Sequence, residues 1–407
     1  MPPSALLAFD LALARVLALA DAAPPAPLER VPLAAAVGRI AGAEVAAVRD
    51  LPPFPQSAMD GYAIDRAMPL GPWVAVAGRT AAGDPPGVLA AGRPHRIFTG
   101  APVPAGADAV LVQERVVRND AGDIRISSPL PAPGANIRLP GEDIRAGTPL
   151  IAAGTRLDWR HVAVLAAQGL AEVAVRPRVR VALLGSGHEL RQPGEEAGPG
   201  QIFDSNRPML AALLTAWGAE LVAPPPVADD AAAVRAALEE AAARADLVVS
   251  NAGISVGEED HVRAAVEALG GALSVLKVAI KPGKPLAAGR LGRAAFIGLP
   301  GNPQAALVGA VAFVRPLLAR LAGETPPRPF LLRAGFARPH KPGRTELVPV
   351  RVAQHGAERW AEPAGPSGSG RLGTLLGAEA LAVLPAEAGD IAEGALLEAF
   401  GFGENLG

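Results

Sequence analysis

Between residues 178 and 321 the sequence alternates short apolar runs with stretches of helical length, and a chain patterned this way can bury its apolar surface in few arrangements. Val179 to Leu184 is a continuous β-branched run ending in Gly185, Ser186 and Gly187, as expected of a strand buried on both faces that opens into a ligand loop. Helices are predicted over Asn206 to Trp217, Asp230 to Ala243, Asp260 to Leu269 and Gln304 to Leu321. Strands are predicted at Glu220 to Ala223, Asp246 to Ser250, around Ser274 to Ile280 and around Ala294 to Ile297. The alternation implies a doubly wound sheet with helices on both faces.

The flanks read differently. Leu6 to Ala20 is apolar almost all round a helix, interrupted by Asp10 and Arg15, and predicts a packing helix. From Val31 to about Arg176, short β-type runs (Trp73 to Ala77, Ala109 to Val117, Ile124 to Ile126) are punctuated by Pro and Gly, which predicts a mostly β region with long loops. Pro326, Pro327 and Pro329 form a stiff linker to Phe330 to Phe336, Glu346 to Val352, Ala380 to Pro385 and Ala395 to Ala399, a small C-terminal β domain.

Composition removes several functions. The chain has 407 residues, enough for two to four units, and no cysteine, so disulfides, thiolate metal sites and cysteine nucleophiles are excluded. A net charge of -2 with dispersed basic residues argues against nucleic acid as a partner. The longest apolar stretches, Leu11 to Ala20 and Ala305 to Val314, fall short of the roughly 20 residues of a spanning helix, so no membrane span is expected. No basic segment precedes the first apolar one, so export is not expected and the cytoplasm is the predicted location.

In an open α/β sheet, ligands bind in the crevice at the carboxyl ends of the strands. Five loops are expected there: Gly185 to Glu189, Asp229 and Asp230, Asn251 to Asp260, Lys281 to Pro285, and Leu299 to Pro303. In the third, Gly253 and Ser255 precede a helix start and suit a phosphate, although an ordinary strand-to-helix turn explains the same residues. Lys281 and Lys284, framed by Pro282, Gly283 and Pro285, aim two ammonium groups into the crevice and point to an anion; a solvated hairpin is the alternative. Leu299 to Pro303 shape the entry to the last helix, with Asn302 as a candidate cap and Pro303 in the first turn; a purely structural cap explains the segment, and a second anion pocket beside the lysines explains it equally well. Glu189, Asp229 and Asp260 follow three different strands and can share a Mg²⁺ with a phosphate oxygen, while each alone reads equally as a cap or a solvated acid. Three further segments, Pro52 to Tyr62, Arg96 to Pro104 and Asn136 to Gly147, hold Asp60, Thr99 and Asp143 in rigid turns, and their residue types alone imply only loop architecture.

The segments SAMDGYA, TGAPVPAGADAV, NIRLPGEDI, SGHEL, DSN at Asp204 to Asn206, GISVGEED, IKPGKP and GLPGNP occur in one order along the chain. In this the chain resembles the MoeA/gephyrin-type molybdopterin molybdenumtransferases over essentially its whole length. The resemblance implies an elongated multidomain fold of class α/β plus β. It divides the chain into an N-terminal dimerisation and linker domain (1–48 and 141–177), an inserted mostly-β domain (49–140), an α/β molybdopterin-binding domain (178–324) and a small C-terminal β domain (328–402). It also implies insertion of molybdate into adenylylated molybdopterin with Mg²⁺ and release of AMP, by a homodimer whose further partners are a molybdopterin adenylyltransferase and apo-molybdoenzymes.

By position, Glu189, Asp229, Asp260, Lys277 and Lys281 match family residues lining the nucleotide and metal region. Lys281, Lys284, Arg344 and Ser369 match the molybdate area. Asp60, Thr99 and Asp143 match residues that in the family approach the crevice from the other subunit. Ser186, Gly253, Ser255, Pro300, Asn302 and Pro303 complete the expected substrate-binding set. Departures are His188 in place of an acid, Ala252 in place of glycine, Ala305 in place of serine, and Arg207 as an added guanidinium. These leave a non-catalytic carrier or scaffold paralogue as the alternative reading.

Overall fold

The strand that opens the α/β unit sends its side chains alternately into two cores. In β5 (Arg180–Gly185), Val181 and Leu183 pack in one cluster and Ala182 and Leu184 in the other, as the two-residue period of a doubly covered strand requires. The first cluster is covered by α1 (Phe9–Asp21), α3 (Asn206–Ala216) and α6 (Pro303–Ala322), the second by α4 (Ala231–Arg244) and α5 (His261–Ala268). Phe296 on the sheet and Phe313 on α6, each no more than 1% exposed, stabilise the unit by about 1.5–3 kcal/mol apiece through burial. The computed structural model describes residues 6–21, 26–68, 70–126, 129–222, 227, 230–251, 261–326, 328–366 and 368–403.

The sheet has the order β6-β5-β7-β11-β10-β8, where β6 is Glu220–Leu221, β7 Leu247–Asn251, β8 Ala272–Lys277, β10 Pro285–Leu291 and β11 Ala294–Leu299. Strands β6, β5, β7 and β11 are parallel. β10 runs antiparallel to β11 and β8 antiparallel to β10. Two reversals restore direction, so β8 ends on the same edge as β5, β7 and β11.

Helix α6 passes through a π segment at Ala310–Val314 before resuming at Arg315–Ala322. Pro316 explains the wide turn, because it lacks an N–H and its ring excludes the carbonyl one turn back. The helix has the length and hydropathy of a membrane span, yet 72% of that window is buried inside the protein, as suits a core helix.

N-terminal to this unit, β1 (Gly61–Ile64), β2 (Arg79–Thr80), β3 (His95–Ile97) and β4 (Ala109–Val112) form a sheet in the order β2-β3-β1-β4. Here the structure corrects two expectations. Trp73 to Ala77 is no strand: Val74 makes a single bridge to Ile124, and Gly78 at φ 97° breaks the ladder immediately before β2 begins. Within the region expected to be mostly β lies α2 (Trp159–Ala167), whose Asp158 side chain accepts from the N–H groups of Arg160 and His161 in a capping box.

Arg156 fastens this region to the α/β unit. Its guanidinium donates to Glu324 Oε1 at 2.8 Å and Oε2 at 2.7 Å and to the carbonyls of Gly38 and Trp217, both at 3.1 Å.

The C-terminal sheet contains β12 (Phe330–Ala334), β13 (Thr345–His355), β14 (Glu358–Pro363), β15 (Ala380–Leu384) and β16 (Leu396–Gly401). Its order β13-β14-β12-β16-β15 closes through a β13–β15 pairing into a barrel. One more strand joins it from the α/β unit: β9 (Ile280–Lys281) pairs in parallel with the start of β13.

Candidate functional site

The ends of three neighbouring strands define the crevice, since Gly185, Asn251 and Leu299 stand side by side in register. Asn206 ties the loops beyond them together. Its Nδ2 donates to the Asn251 side chain at 3.3 Å and to the Gly301 carbonyl at 2.5 Å. The buried Asp204 carboxylate accepts from the N–H groups of Asn206 and Arg207, both at 3.1 Å, and so caps α3.

Directly after β8 the chain forms the lysine loop. Lys277 ends β8 with an exposed side chain, and Val278 N–H donates to the Lys284 carbonyl at 2.8 Å, closing the segment. The Lys281–Pro282 peptide is cis. Gly283, at φ 103°, lies against the first turn of α6, where an added Cβ would stand 3.5 Å from the Ala305 carbonyl. Lys281 and Lys284 are both exposed, so two ammonium groups border the crevice beside the start of α6.

At that helix start the structure corrects one expectation. Pro303 occupies the first turn as predicted, but the exposed Asn302 makes no side-chain capping bond. The Gln304 N–H donates to the Ser369 carbonyl at 2.9 Å, and Gln304 Nε2 donates to the Arg371 carbonyl at 2.8 Å. Ser369 thus meets α6 through its main chain. A helix end needs its N–H groups satisfied, and a loop 65 residues downstream of Gln304 contributes here.

Lys281 has a partner that the sequence reading did not single out. Its Nζ lies 3.2 Å from Oε2 of Glu346, which is 5% exposed and also receives Arg338 on its other oxygen. The only sequence signal was a carboxylate at the start of a β-type run. Arg344, two residues earlier, is exposed.

Ser186 follows β5 and is half-buried. Glu189 is exposed, and its carboxylate curls over Gly187, where a Cβ would come within 2.6 Å of Oε2. Its side chain takes no hydrogen bond from the described residues. Pro300 is half-buried at the end of β11. Asp229, Ala252, Gly253, Ser255 and Asp260 lie outside the described residues, as does most of the expected phosphate loop. Among the described residues no three His, Asp or Glu side chains gather as a metal site.

The N-terminal candidates form a second group. Asp60 Oδ1 accepts from Thr99 N–H at 2.8 Å and from the Thr99 hydroxyl at 2.9 Å. Both bonds, with the nearby Arg96 cation, hold the Asp60 carboxyl below its ordinary 3.8. Arg96 fixes the turn from behind: it donates to the Gly61 carbonyl at 3.1 Å and lies over the rings of Tyr62 and Phe98. Gly61 is required at its position, because a Cβ would stand 2.1 Å from the Leu111 carbonyl. Asp143 is exposed, with its N–H donating to the Leu51 carbonyl at 3.0 Å. No hydrogen bond or ion pair among the described residues joins Asp60, Thr99 or Asp143 to the lysine loop.

Comparison with known proteins covers the chain in three parts. Residues 7–169 match the MoeA N-terminal region (domain I and II), 183–320 a probable molybdopterin binding domain, and 332–400 the MoeA C-terminal region (domain IV). A molybdopterin molybdenumtransferase of Haemophilus influenzae is 39% identical over 308 residues, 74% of each chain. Molybdopterin molybdenumtransferase 2 of Mycobacterium tuberculosis is 34% identical over 90% of this chain and 93% of its own. The crystal structure of a molybdopterin biosynthesis MoeA protein from Pyrococcus horikosii superposes with a TM-score of 0.79 at 30% identity, covering 98% of this chain and 99% of that one.

Proposed function

Because the chain belongs to the MoeA family of molybdopterin molybdenumtransferases, we propose that it inserts molybdenum from molybdate into adenylylated molybdopterin bound in the crevice. The observation that carries this reading is the lysine loop: two exposed ammonium groups held by a closed turn against the first turn of α6, on the edge where the strands end. Cations fixed there attract a tetrahedral oxyanion and phosphate oxygens. The dithiol of the pterin gives two protons to one molybdate oxygen, which leaves as water as two Mo–S bonds form. Water adds across the phosphoanhydride, and AMP leaves.

Glu189 is the described carboxylate suited to a hard cation, being exposed and without a hydrogen-bond partner among the described residues. With Asp229 and Asp260 it would hold Mg²⁺, which supplies charge neutralisation on the phosphate oxygens. Ser186 and Pro300 line the crevice beside it. Asp60, fixed by Thr99 and kept ionised, orients water or metal at the crevice of a second copy in a homodimer, and Asp143 is assigned to the same crevice. Exposed Val37, at 56%, borders an apolar cavity of about 640 Å³ lined by Leu13, Leu17, Trp217, Phe330 and Phe400, a surface that suits such a contact. We place the enzyme in the cytoplasm, receiving its substrate from a molybdopterin adenylyltransferase and passing its product to apo-molybdoenzymes.

The test is incubation of the protein with adenylylated molybdopterin, Mg²⁺ and molybdate, following AMP and reconstitution of an apo-molybdoenzyme. Both products are expected, and Asp60→Ala or Lys281→Ala is expected to abolish them with the fold intact. Near-normal AMP release by both variants would refute the site. Tight binding of the adenylate without AMP would favour a carrier, the second reading, which rests on the buried Ala305 beside the lysine loop.

A further inference from the structure

Glu346 belongs to the C-terminal barrel, yet it meets a side chain of the α/β unit. Ile280 and Lys281 pair with Thr345 and Glu346 in parallel, and Thr345 N–H donates to the Ala279 carbonyl at 2.9 Å. The backbone of the lysine loop is therefore fixed to the barrel at Lys281 itself. The side chains repeat the link: Lys281 reaches one Glu346 oxygen, Arg338 the other, and His340 Nδ1 lies 3.6 Å from the first.

The two cations differ in character. Arg338 has a side chain 23% exposed, and its backbone is bridged to Ile391 on the barrel, so it anchors the carboxylate. The Lys281 side chain is 53% exposed. An ammonium has three donors; one is directed to Glu346, and two remain for a ligand. A carboxylate this buried is costly unless paired, which explains why it holds one cation on each oxygen.

We propose that Glu346 is a positioning residue for Lys281, holding its ammonium in the orientation that receives the tetrahedral oxyanion. This rests on the reading of the lysine loop as the oxyanion site. A free lysine side chain samples many rotamers, and ordering it on binding reduces affinity. Glu346 orders it beforehand. Its charge matters as well as its shape, because a neutral amide of the same size holds an ammonium less strongly.

The experiment is a double-mutant cycle on the full chain, read by calorimetric binding of tungstate as a tetrahedral oxyanion probe and by KM and kcat with molybdate. Glu346→Gln is expected to weaken tungstate binding about tenfold and to raise KM for molybdate by a similar factor, with kcat within about twofold. In a Lys281→Met background the same substitution is expected to have no further effect on tungstate. Glu346→Asp keeps the charge but falls one methylene short of spanning both cations, so it is expected to weaken tungstate as well. It serves if Glu346→Gln does not fold. Wild-type affinity in both Glu346 variants, or an equal loss with and without Lys281, overturns the proposal. If Lys281→Met alone leaves tungstate binding unchanged, the reading of the loop falls and the proposal falls with it.

Discussion

Replacing Arg156 by Met removes the cation that joins the N-terminal region to the α/β unit while keeping most of the side-chain volume. Arg156 and Glu324 have side chains only 22% and 14% exposed, and the pair is bidentate. Arg156→Met leaves the Glu324 carboxylate and the carbonyls of Gly38 and Trp217 short of donors in a half-buried place. Breaking one partner of a buried pair costs about 3–5 kcal/mol, and the residual exposure places this case near 3 kcal/mol. Glu324→Gln keeps an acceptor and a neutral hydrogen bond, at a cost of about 1–2 kcal/mol. The double variant strands no charge, so its cost is expected to be no larger than that of Arg156→Met alone, with a coupling of at least about 1 kcal/mol. Urea unfolding followed by circular dichroism measures all three. A double variant whose loss equals the sum of the singles would refute the argument, because the two residues would then stabilise the protein independently.

Three further outcomes are expected. Thr99→Val deletes one of the two donors that depress the Asp60 carboxyl, so its pKa rises toward 3.8 and the stabilisation of the ionised form, fully present above that value, is lost at less acidic pH. Carboxyl ¹³C NMR titration reads the shift, and an unmoved titration refutes the assignment. Burial lowers the His95 imidazole below 6.5, with Thr80 Oγ1 at 2.7 Å and the Ala77 carbonyl at 3.1 Å on its two nitrogens. Its contribution is full above 6.5 and declines as the pH falls toward the folded value, so Tm should drop more steeply below pH 6.5 in the wild type than in His95→Gln. Gly61→Ala drives a methyl to 2.1 Å from the Leu111 carbonyl and is expected to cost about 2–4 kcal/mol in urea unfolding; wild-type stability would show that β1 and β4 do not approach so closely.

What the sequence made legible follows local physics. Val179 to Leu184 stood out because a doubly covered strand is apolar without interruption, and α4 because Asp230 caps an alanine-rich stretch. β10 was missed: Pro285–Leu291 is built of Ala, Gly and Leu, small residues with weak β preference and no alternation. The antiparallel reversal it introduces was missed with it. The strand end carrying the lysines was nonetheless placed on the correct edge, since two reversals cancel. Asn302 failed as a cap and Glu346 was overlooked for one reason. Their roles are set by partners far along the chain, Ser369 for the helix start and Lys281 for the carboxylate, and no local pattern encodes such pairings.

The barrel closes on itself through β13 and β15, leaving no long edge free within its ring, yet its first long strand accepts β9 from another unit. Two residues of the α/β unit are thus stitched into the barrel's hydrogen-bond ladder, and one of them is Lys281. Any rotation of the barrel about the segment linking α6 to β12 would carry that lysine with it or break the ladder. The orientation of the C-terminal domain and the charge lining the crevice are consequently one mechanical variable. A ligand that prefers one setting of Lys281 would, by the same preference, select one setting of the barrel.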